Sequence, residues 1–158
     1  MNEAKIHLRP LRTTDIEAIM QLHRELGWNP AFHADGSTLR SRLTTLTEEE
    51  NALLLVAELN GDVAGYVHGE IVTYLLFAGR EMLVSELFVT EAARGRGVGT
   101  ALMAAMEAEA VKRRCFRISV LNSRERESYK RGFYPSLGYE ERVHTANFTK
   151  RLDWGESN

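Results

Sequence analysis

One stretch in the middle of the chain constrains the fold more than any other: a strand, a glycine-rich turn and a helix follow one another. Residues 82–89 form an apolar run typical of a buried strand, and a helix is predicted from about Thr100 to Arg114. Residues 94–99, with the sequence Arg-Gly-Arg-Gly-Val-Gly, connect this strand to this helix. Glycines lack a Cβ atom, so several backbone N–H groups can converge on one anion, and the positive end of the following helix adds to the attraction. The pattern predicts a phosphate-binding turn.

The two best-known phosphate-binding turns do not match this stretch. A P-loop requires a lysine after its last glycine, whereas Gly99 is followed by Thr100. A dinucleotide fingerprint has the spacing G-x-G-x-x-G, and Gly95, Gly97 and Gly99 are too closely spaced for it. The turn also lies in mid-chain, while a Rossmann fold usually places it after the first strand. A different phosphate-binding fold is therefore expected.

The other segments predict a mixed sheet with helices on its faces, in one domain spanning residues 1–158. The turn signal Asn60-Gly61-Asp62 between two apolar runs is typical of a hairpin. Gly65 and Gly69 inside the return strand indicate a bulge or a close approach of another backbone. Strands are expected at residues 5–9, 52–59, 63–72, 82–89 and 116–121, with two last strands within 139–152. Helices are expected after 13–15, after 36–37, at 100–114 and, with an interruption, at 125–137.

Composition excludes several classes of protein. The net charge of -2 gives no reason to expect nucleic acid or an anionic membrane as a partner. The single cysteine, Cys115, excludes an internal disulfide framework. No apolar run approaches membrane-spanning length, and residues 1–3 do not begin a signal peptide, so a cytoplasmic protein is expected. The five histidines show no metal-ligand spacing, so no metal site is expected.

Two motifs in the right order resemble one known family. Residues 94–99 resemble the Q/R-x-x-G-x-G/A motif of the GNAT superfamily of acyl-CoA-dependent N-acetyltransferases, and residues 133–139 resemble its F-Y-x-x-L-G-F/Y segment. The order of elements agrees from about residue 4 to residue 152. The resemblance implies an α/β (α+β) fold with a mixed, mostly antiparallel central sheet flanked by helices. Residues 147–152 loosely resemble small-amine members such as aminoalkylphosphonate and aminoglycoside acetyltransferases.

The resemblance implies acetyl-CoA as the acyl donor and indicates where it binds. Backbone N–H groups of residues 94–100 would hold the CoA pyrophosphate, and the backbone of Leu87 and Val89 would pair with the pantetheine arm like an added strand. Asn122 would hydrogen-bond the same arm. The implied cofactor-binding residues are Leu87, Phe88, Val89, Arg94, Gly95, Arg96, Gly97, Val98, Gly99, Thr100 and Asn122.

Two side chains are candidates for catalysis. Tyr134 in the family register would protonate the departing thiolate, because a phenol with a pKa of about 10 stays protonated at neutral pH. Many relatives have a shorter spacing between asparagine and tyrosine, like that of Asn122 and Tyr129, so Tyr129 is the alternative acid. Glu86 would accept the proton of the amine, through water. Glu86 can equally be a solvated strand residue or the partner of an arginine.

The function expected from this resemblance is transfer of an acetyl group from acetyl-CoA to a primary amine of a small molecule by direct attack. A protein or peptide N-acetyltransferase and a non-catalytic CoA-binding regulatory module are the alternatives. The acceptor site is predicted in two loops, residues 27–36 and residues 74–80. The first loop contains Trp28, Phe32, His33 and Asp35. Many members of the family dimerise, so a homodimer is consistent with the resemblance.

Overall fold

A five-stranded sheet is the main feature of the computed structural model, which describes residues 5–27, 29 and 34–152. The strands are β1 (Ile6–Pro10), β2 (Ala52–Leu59), β3 (Asp62–Thr73), β4 (Arg80–Val89) and β5 (Cys115–Val120). They lie in sequence order across the sheet. Neighbours from β1 to β4 are antiparallel, and β4 and β5 are parallel. The mixed, mostly antiparallel sheet predicted from the sequence is confirmed.

The described residues contain five α-helices. They are α1 (Ile16–Glu25), α2 (Gly36–Glu48), α3 (Val98–Lys112), α4 (Glu127–Lys130) and α5 (Phe133–Ser136). By its contacts the chain divides into two units, one ending at Leu121 and the other beginning at Asn122 and containing α4 and α5. In the described part of the chain, no helix has the length and apolar character needed to cross a membrane.

The faces of the sheet are covered by different helices. Ile16 and Leu22 of α1 and Leu43 of α2 form one buried cluster with Val56 and Tyr66, which are register partners on β2 and β3. Successive strand residues point to opposite faces, so the next residues along β3 and β2 face the other side, where α3 contributes its buried side chains. Those α3 side chains are Val98, Leu102, Met103, Met106 and Ala110. Each large apolar side chain buried in this way contributes about 1.5–3 kcal/mol.

Gly65 and Gly69 of β3 mark a close approach to β4 and a bulge, respectively, which are the two features that the sequence predicted there. A Cβ atom on Gly65 would lie 2.6 Å from the backbone oxygen of Phe88. At Gly69 the register shifts: His68 is opposite Glu86, whereas Gly69 is opposite Val84. Ser85 is therefore an extra residue on β4, which is a β-bulge.

The parallel pair β4–β5 ends halfway along β4. Register pairs join the two strands only up to Val84 and Val120, and β4 continues to Val89. The paired half is held by a buried carboxylate: Glu81, 2% exposed, accepts hydrogen bonds from Arg117 Nε and Nη2 at 2.8 and 2.9 Å, and from the Ser119 hydroxyl. The Arg117 guanidinium is the main cause that lowers the pKa of Glu81, to about 2.

The prediction of two last strands within residues 139–152 is wrong. These residues contain no strand. Their backbone N–H groups make local hydrogen bonds instead, from Tyr139 to Tyr134, from Val143 to Glu141 and from Thr145 to Arg142. An alternating pattern forms a strand only where a neighbour pairs with it and a core covers its apolar side. Here the apolar side chains are exposed, with Phe148 at 92%.

Gly65→Ala should destabilise the protein more than Gly69→Ala. At Gly65 the added Cβ meets a backbone oxygen, so two strands must separate, and we expect a loss of roughly 1–3 kcal/mol in the free energy of unfolding measured with urea. At Gly69 the added Cβ meets the ends of two methionines, Met106 and Met82, which can rotate away. A larger loss in Gly69→Ala than in Gly65→Ala would contradict this account.

Glu81 should make the free energy of unfolding of the protein depend on pH under acidic conditions. A carboxyl group whose pKa is lower in the folded chain contributes stability above its unfolded value of 4.5, and loses it as the pH falls toward about 2. We expect the free energy of unfolding to decline across that window, and Glu81→Gln to flatten the decline. At pH 7 this variant should be less stable by roughly 1–3 kcal/mol, because the amide that replaces the carboxylate has only one acceptor oxygen and no charge to pair with Arg117.

The matched control for Glu81 is Glu127→Gln, which removes an exposed carboxylate that lies 3.2 Å from Lys130 Nζ. Exposed pairs of this kind contribute about 0–1 kcal/mol, so the acid profile of this variant should follow that of the unsubstituted protein. An acid profile of Glu81→Gln that also follows it would contradict the role given to Glu81.

Candidate active site

The second half of β4 presents an open backbone edge. Residues 85–89 pair with β3 on one side, and no described strand pairs with them on the other side after Val84. Three predicted cofactor-binding residues, Leu87, Phe88 and Val89, lie on this stretch and are partly buried. An open edge is a row of N–H and C=O groups that an extended ligand can pair with.

The glycine-rich turn follows this edge directly and begins α3, as predicted. A 3-10 turn, Glu91–Ala93, connects β4 to residues 94–97. Gly95 and Gly97 have φ angles of +73° and +82°, in the left-handed region that favours glycine. Gly97 is also the N-cap of α3 and has no side chain to accept a hydrogen bond there. The N–H groups of the first helical turn are therefore available to an anion.

The side chains of the turn are divided between the core and solvent. Val98 is buried and fixes the start of α3, Gly99 is partly buried, and Arg94, Arg96 and Thr100 are exposed. A turn with left-handed glycines, an uncapped helix start and flanking guanidinium groups has the donors that a pyrophosphate requires. The residues present therefore suit the pyrophosphate of CoA.

Glu86 is exposed but is not simply solvated. The Tyr66 hydroxyl donates to Glu86 Oε2 at 2.7 Å, and His23 Nε2 lies 2.8 Å from the same hydroxyl. Tyr66 is 3% exposed, and burial together with the Glu86 charge raises the pKa of its phenol far above the ordinary value. Three side chains from α1, β3 and β4 thus form one hydrogen-bonded chain that ends at the carboxylate.

The bulge at Ser85 brings a second polar pair to the same face. Tyr66 and His68 are two residues apart on β3, so their side chains share a face. Glu86 contacts Tyr66, and Ser85 Oγ lies 3.1 Å from Nδ1 of the buried His68. Consecutive residues of β4 reach the same face because the bulge interrupts the alternation of side chains. Glu70 Oε1 lies 3.5 Å from His68 Nε2.

Sequence reasoning did not assign Tyr66, His23 or Ser85 to the site. The available signal was weak: Tyr66, His68 and Glu70 recur at strand spacing within an apolar strand. Which residue of β4 lies opposite them depends on the bulge, and the sequence indicated that bulge only through Gly65 and Gly69. His23 occupies a position on the apolar stripe of α1, where a histidine is ordinarily a core residue.

One of the two loops predicted to form the acceptor site is described. In residues 74–79 the rings of Tyr74 and Phe77 lie 5.4 Å apart, and Phe77 lies 5.4 Å from Phe116. Leu75 and Leu76 are exposed. In the other loop, Asp35 caps α2 by accepting from the Thr38 backbone N–H at 2.7 Å. Trp28, Phe32 and His33 lie outside the described residues.

The second unit contains the remaining predicted residues. Asn122 and Ser128 exchange side-chain hydrogen bonds at 3.1 and 3.2 Å. The Tyr129 hydroxyl donates to Glu141 Oε2 at 2.9 Å, and this bond raises the pKa of Tyr129.

Tyr134 is the less exposed of the two candidate tyrosines. Its ring packs against Phe133 and Tyr139 at centroid distances of 5.0 and 5.9 Å. Burial raises the pKa of its phenol. No residue in the described ranges accepts a hydrogen bond from the Tyr134 hydroxyl. The proton of this hydroxyl is therefore available to a ligand, unlike that of Tyr129, which donates to Glu141.

Several solved structures share this fold over almost the whole chain. A transcriptional regulator from Bacillus halodurans C-125 superposes with a TM-score of 0.80 at 19% identity, covering 94% of this chain and 100% of its own. Aminoglycoside N-acetyltransferase AAC(6')-Iy in complex with CoA gives 0.76 at 19% identity, with coverages of 94% and 97%. Glucosamine-6-phosphate N-acetyltransferase from Arabidopsis thaliana gives 0.78 at 16% identity, with coverages of 94% and 99%.

The family itself is shown by a sequence match. The model of the acetyltransferase (GNAT) family matches residues 16–139. This range begins with α1, includes β2 to β5 with the open edge and the glycine-rich turn, and ends after α5. It covers well over half of the 158 residues. The chain therefore belongs to the GNAT family of acetyltransferases.

Proposed function

We propose that this protein is an N-acetyltransferase that moves the acetyl group of acetyl-CoA to a primary amine of a small molecule by direct attack. The family model and a CoA-bound member of similar fold support acetyl-CoA as the donor. The observation that carries the proposal is the open edge of residues 85–89 leading directly into the glycine-rich turn of residues 94–97. Together they offer a strand partner and an anion site in one continuous stretch.

Each part of acetyl-CoA has a counterpart in these residues. The N–H groups of Gly95 and of residues 97–100 would hold the pyrophosphate. The N–H groups of Arg94 and Arg96 donate to Glu91 and Ala93 within the turn, and their side chains would reach the pyrophosphate oxygens. The backbone of Leu87 and Val89 would pair with the amides of the pantetheine arm. Asn122 would give up its bond to Ser128 and donate to the same arm. These contacts would present the thioester beside Glu86.

The proposed reaction needs one base and one acid. Glu86 takes a proton from the acceptor ammonium group, directly or through one water, and the resulting amine forms a C–N bond with the acetyl carbon. The C–S bond then breaks, the thiolate of CoA takes the proton that Tyr134 donates, and the nitrogen of the new amide loses its second proton, through water, to the Tyr134 phenolate. Positioning the amine against the thioester supplies a further part of the acceleration.

Tyr134 is a better candidate for the acid than Tyr129. The Tyr129 proton is engaged by Glu141, and Glu141 also pairs with Arg124 at 2.5 Å, so donation from Tyr129 would have to break this network. The raised pKa of Tyr134 keeps its proton in place at neutral pH, which an acid requires.

A small-molecule acceptor is supported by two proteins of similar fold, which are named for acetylating an aminoglycoside and glucosamine 6-phosphate. The side chains of Ser85 and Glu86 are exposed on the face formed with Tyr66 and His68, and this face would receive the amine. A carboxylate on this face attracts the positive charge of an ammonium group.

Tyr134→Phe should abolish turnover without loss of donor binding. We expect kcat for amine-dependent CoA release, measured by thiol detection with aminoglycosides, amino sugars and polyamines as acceptors, to fall about 10²–10⁴-fold. The dissociation constant for acetyl-CoA should stay unchanged, because the hydroxyl acts only on the leaving sulfur.

Tyr129→Phe is the matched control, and its kcat should remain close to that of the unsubstituted protein. Loss of turnover in Tyr129→Phe with retention in Tyr134→Phe would reverse the assignment of the acid. Acetyl-CoA binding with no amine-dependent release for any acceptor would instead favour a CoA-binding regulatory module. Release with peptide amines alone would favour a protein N-acetyltransferase.

A further inference from the structure

We propose that Tyr66 and His23 are positioning residues for Glu86: they hold one oxygen of its carboxylate so that the other oxygen faces the acceptor amine. This inference rests on the proposed function, in which Glu86 is the base. It assigns a role to two side chains that neither the turn nor the open edge explains.

The direction of the hydrogen bonds supports this role. A tyrosine hydroxyl has one proton, and Tyr66 gives it to Glu86 Oε2 over 2.7 Å. The contact of 2.8 Å between His23 Nε2 and the Tyr66 oxygen is then a bond that His23 donates, which places a hydrogen on Nε2. Both donors point toward the carboxylate, so the chain fixes the position of its Oε2 atom.

The chain is anchored in the core. Tyr66 belongs to the buried cluster of α1 and α2, and its ring packs against His23 and Phe88 at centroid distances of 5.9 and 5.6 Å. Its hydroxyl therefore has a fixed position. An exposed glutamate side chain would otherwise sample several rotamers, and the bond from Tyr66 selects one of them.

The selected rotamer leaves Oε1 available for the proton of the amine. No other described hydrogen bond ends on the Glu86 carboxylate. The groups that face it are Tyr66 and His68 on β3, Ser85 on β4 and, through Tyr66, His23 on α1. Among them His68 is engaged with Ser85 and lies near Glu70, so Tyr66 is the donor to Glu86.

The test is a double-mutant cycle of Tyr66→Phe and Glu86→Gln, with kcat, KM and Tm measured for each variant in amine-dependent CoA release. Phenylalanine keeps the ring in the core and removes only the donor. We expect Tyr66→Phe to lower kcat about tenfold, which is less than the 10²–10⁴-fold expected for a base, and to leave KM for acetyl-CoA unchanged.

In the Glu86→Gln background the same substitution should have almost no further effect, since residues that act as a unit are not additive. Two variants of His23 extend the test. His23→Gln keeps a donor toward Tyr66 and should retain most of the activity, whereas His23→Leu should resemble Tyr66→Phe.

Two results would overturn the inference while leaving the proposed function in place. One is an unchanged kcat in Tyr66→Phe although Glu86→Gln is impaired. The other is an equal loss of rate in both backgrounds, accompanied by an equal fall in Tm, which would show that Tyr66 has only a structural role. A Glu86→Gln variant as active as the unsubstituted protein would instead refute the base of the proposed function and, with it, the role of Tyr66.

Discussion

The half-length pairing of β4 with β5 is the feature on which the rest of the site depends. Pairing up to Val84 keeps the two strands in one sheet, and its end leaves residues 85–89 with an open backbone edge. Glu81, Arg117 and Ser119 bind across the closed half, where the carboxylate is almost completely buried. A buried carboxylate without these donors would be strongly unfavourable, so this cluster favours the register in which the strands part after Val84.

The bulge at Ser85 adds the second requirement, which is a polar face beside the open edge. In a regular strand, Ser85 and Glu86 would point to opposite faces. With the extra residue, both contact buried polar side chains of β3, namely His68 and Tyr66. In the proposed function, the same few residues of β4 would offer backbone groups to the acyl donor and side chains to the acceptor amine. This combination suits a reaction in which the two substrates must meet.

Local features were the ones that could be predicted from the sequence. The turn of residues 94–99 requires glycines in the left-handed region and a helix after a strand. Both features depend on residues that are adjacent in the sequence, so they could be predicted from it. The pairing of β2 with β3 also followed, because Asn60-Gly61-Asp62 is a hairpin signal between two apolar runs. The contacts of Glu86 could not be predicted, since they depend on a register shift between β3 and β4 and on a histidine from α1 that is 63 positions earlier in the chain.

For the segment after α5, the sequence predicted structure that did not form. Alternation in residues 139–152 predicted strands, yet exposed side chains such as Phe148 have neither a pairing partner nor a core to cover them in the described chain. An alternating pattern of apolar and polar residues forms a strand only when tertiary contacts support it. Residues 133–139, in contrast, form the short helix α5 and a glycine stop at Gly138, whose φ angle is +88°.

Isothermal titration with acetyl-CoA, dephospho-CoA and ATP tests most directly whether the open edge and the turn act together. Acetyl-CoA should bind saturably, and dephospho-CoA should bind within about tenfold of it, because both contain the pyrophosphate for the turn and the pantetheine arm for the edge. ATP, which has phosphates but no pantetheine arm, should give no heat of binding. Absence of acetyl-CoA binding at millimolar concentration, or ATP binding of equal strength, would contradict the account.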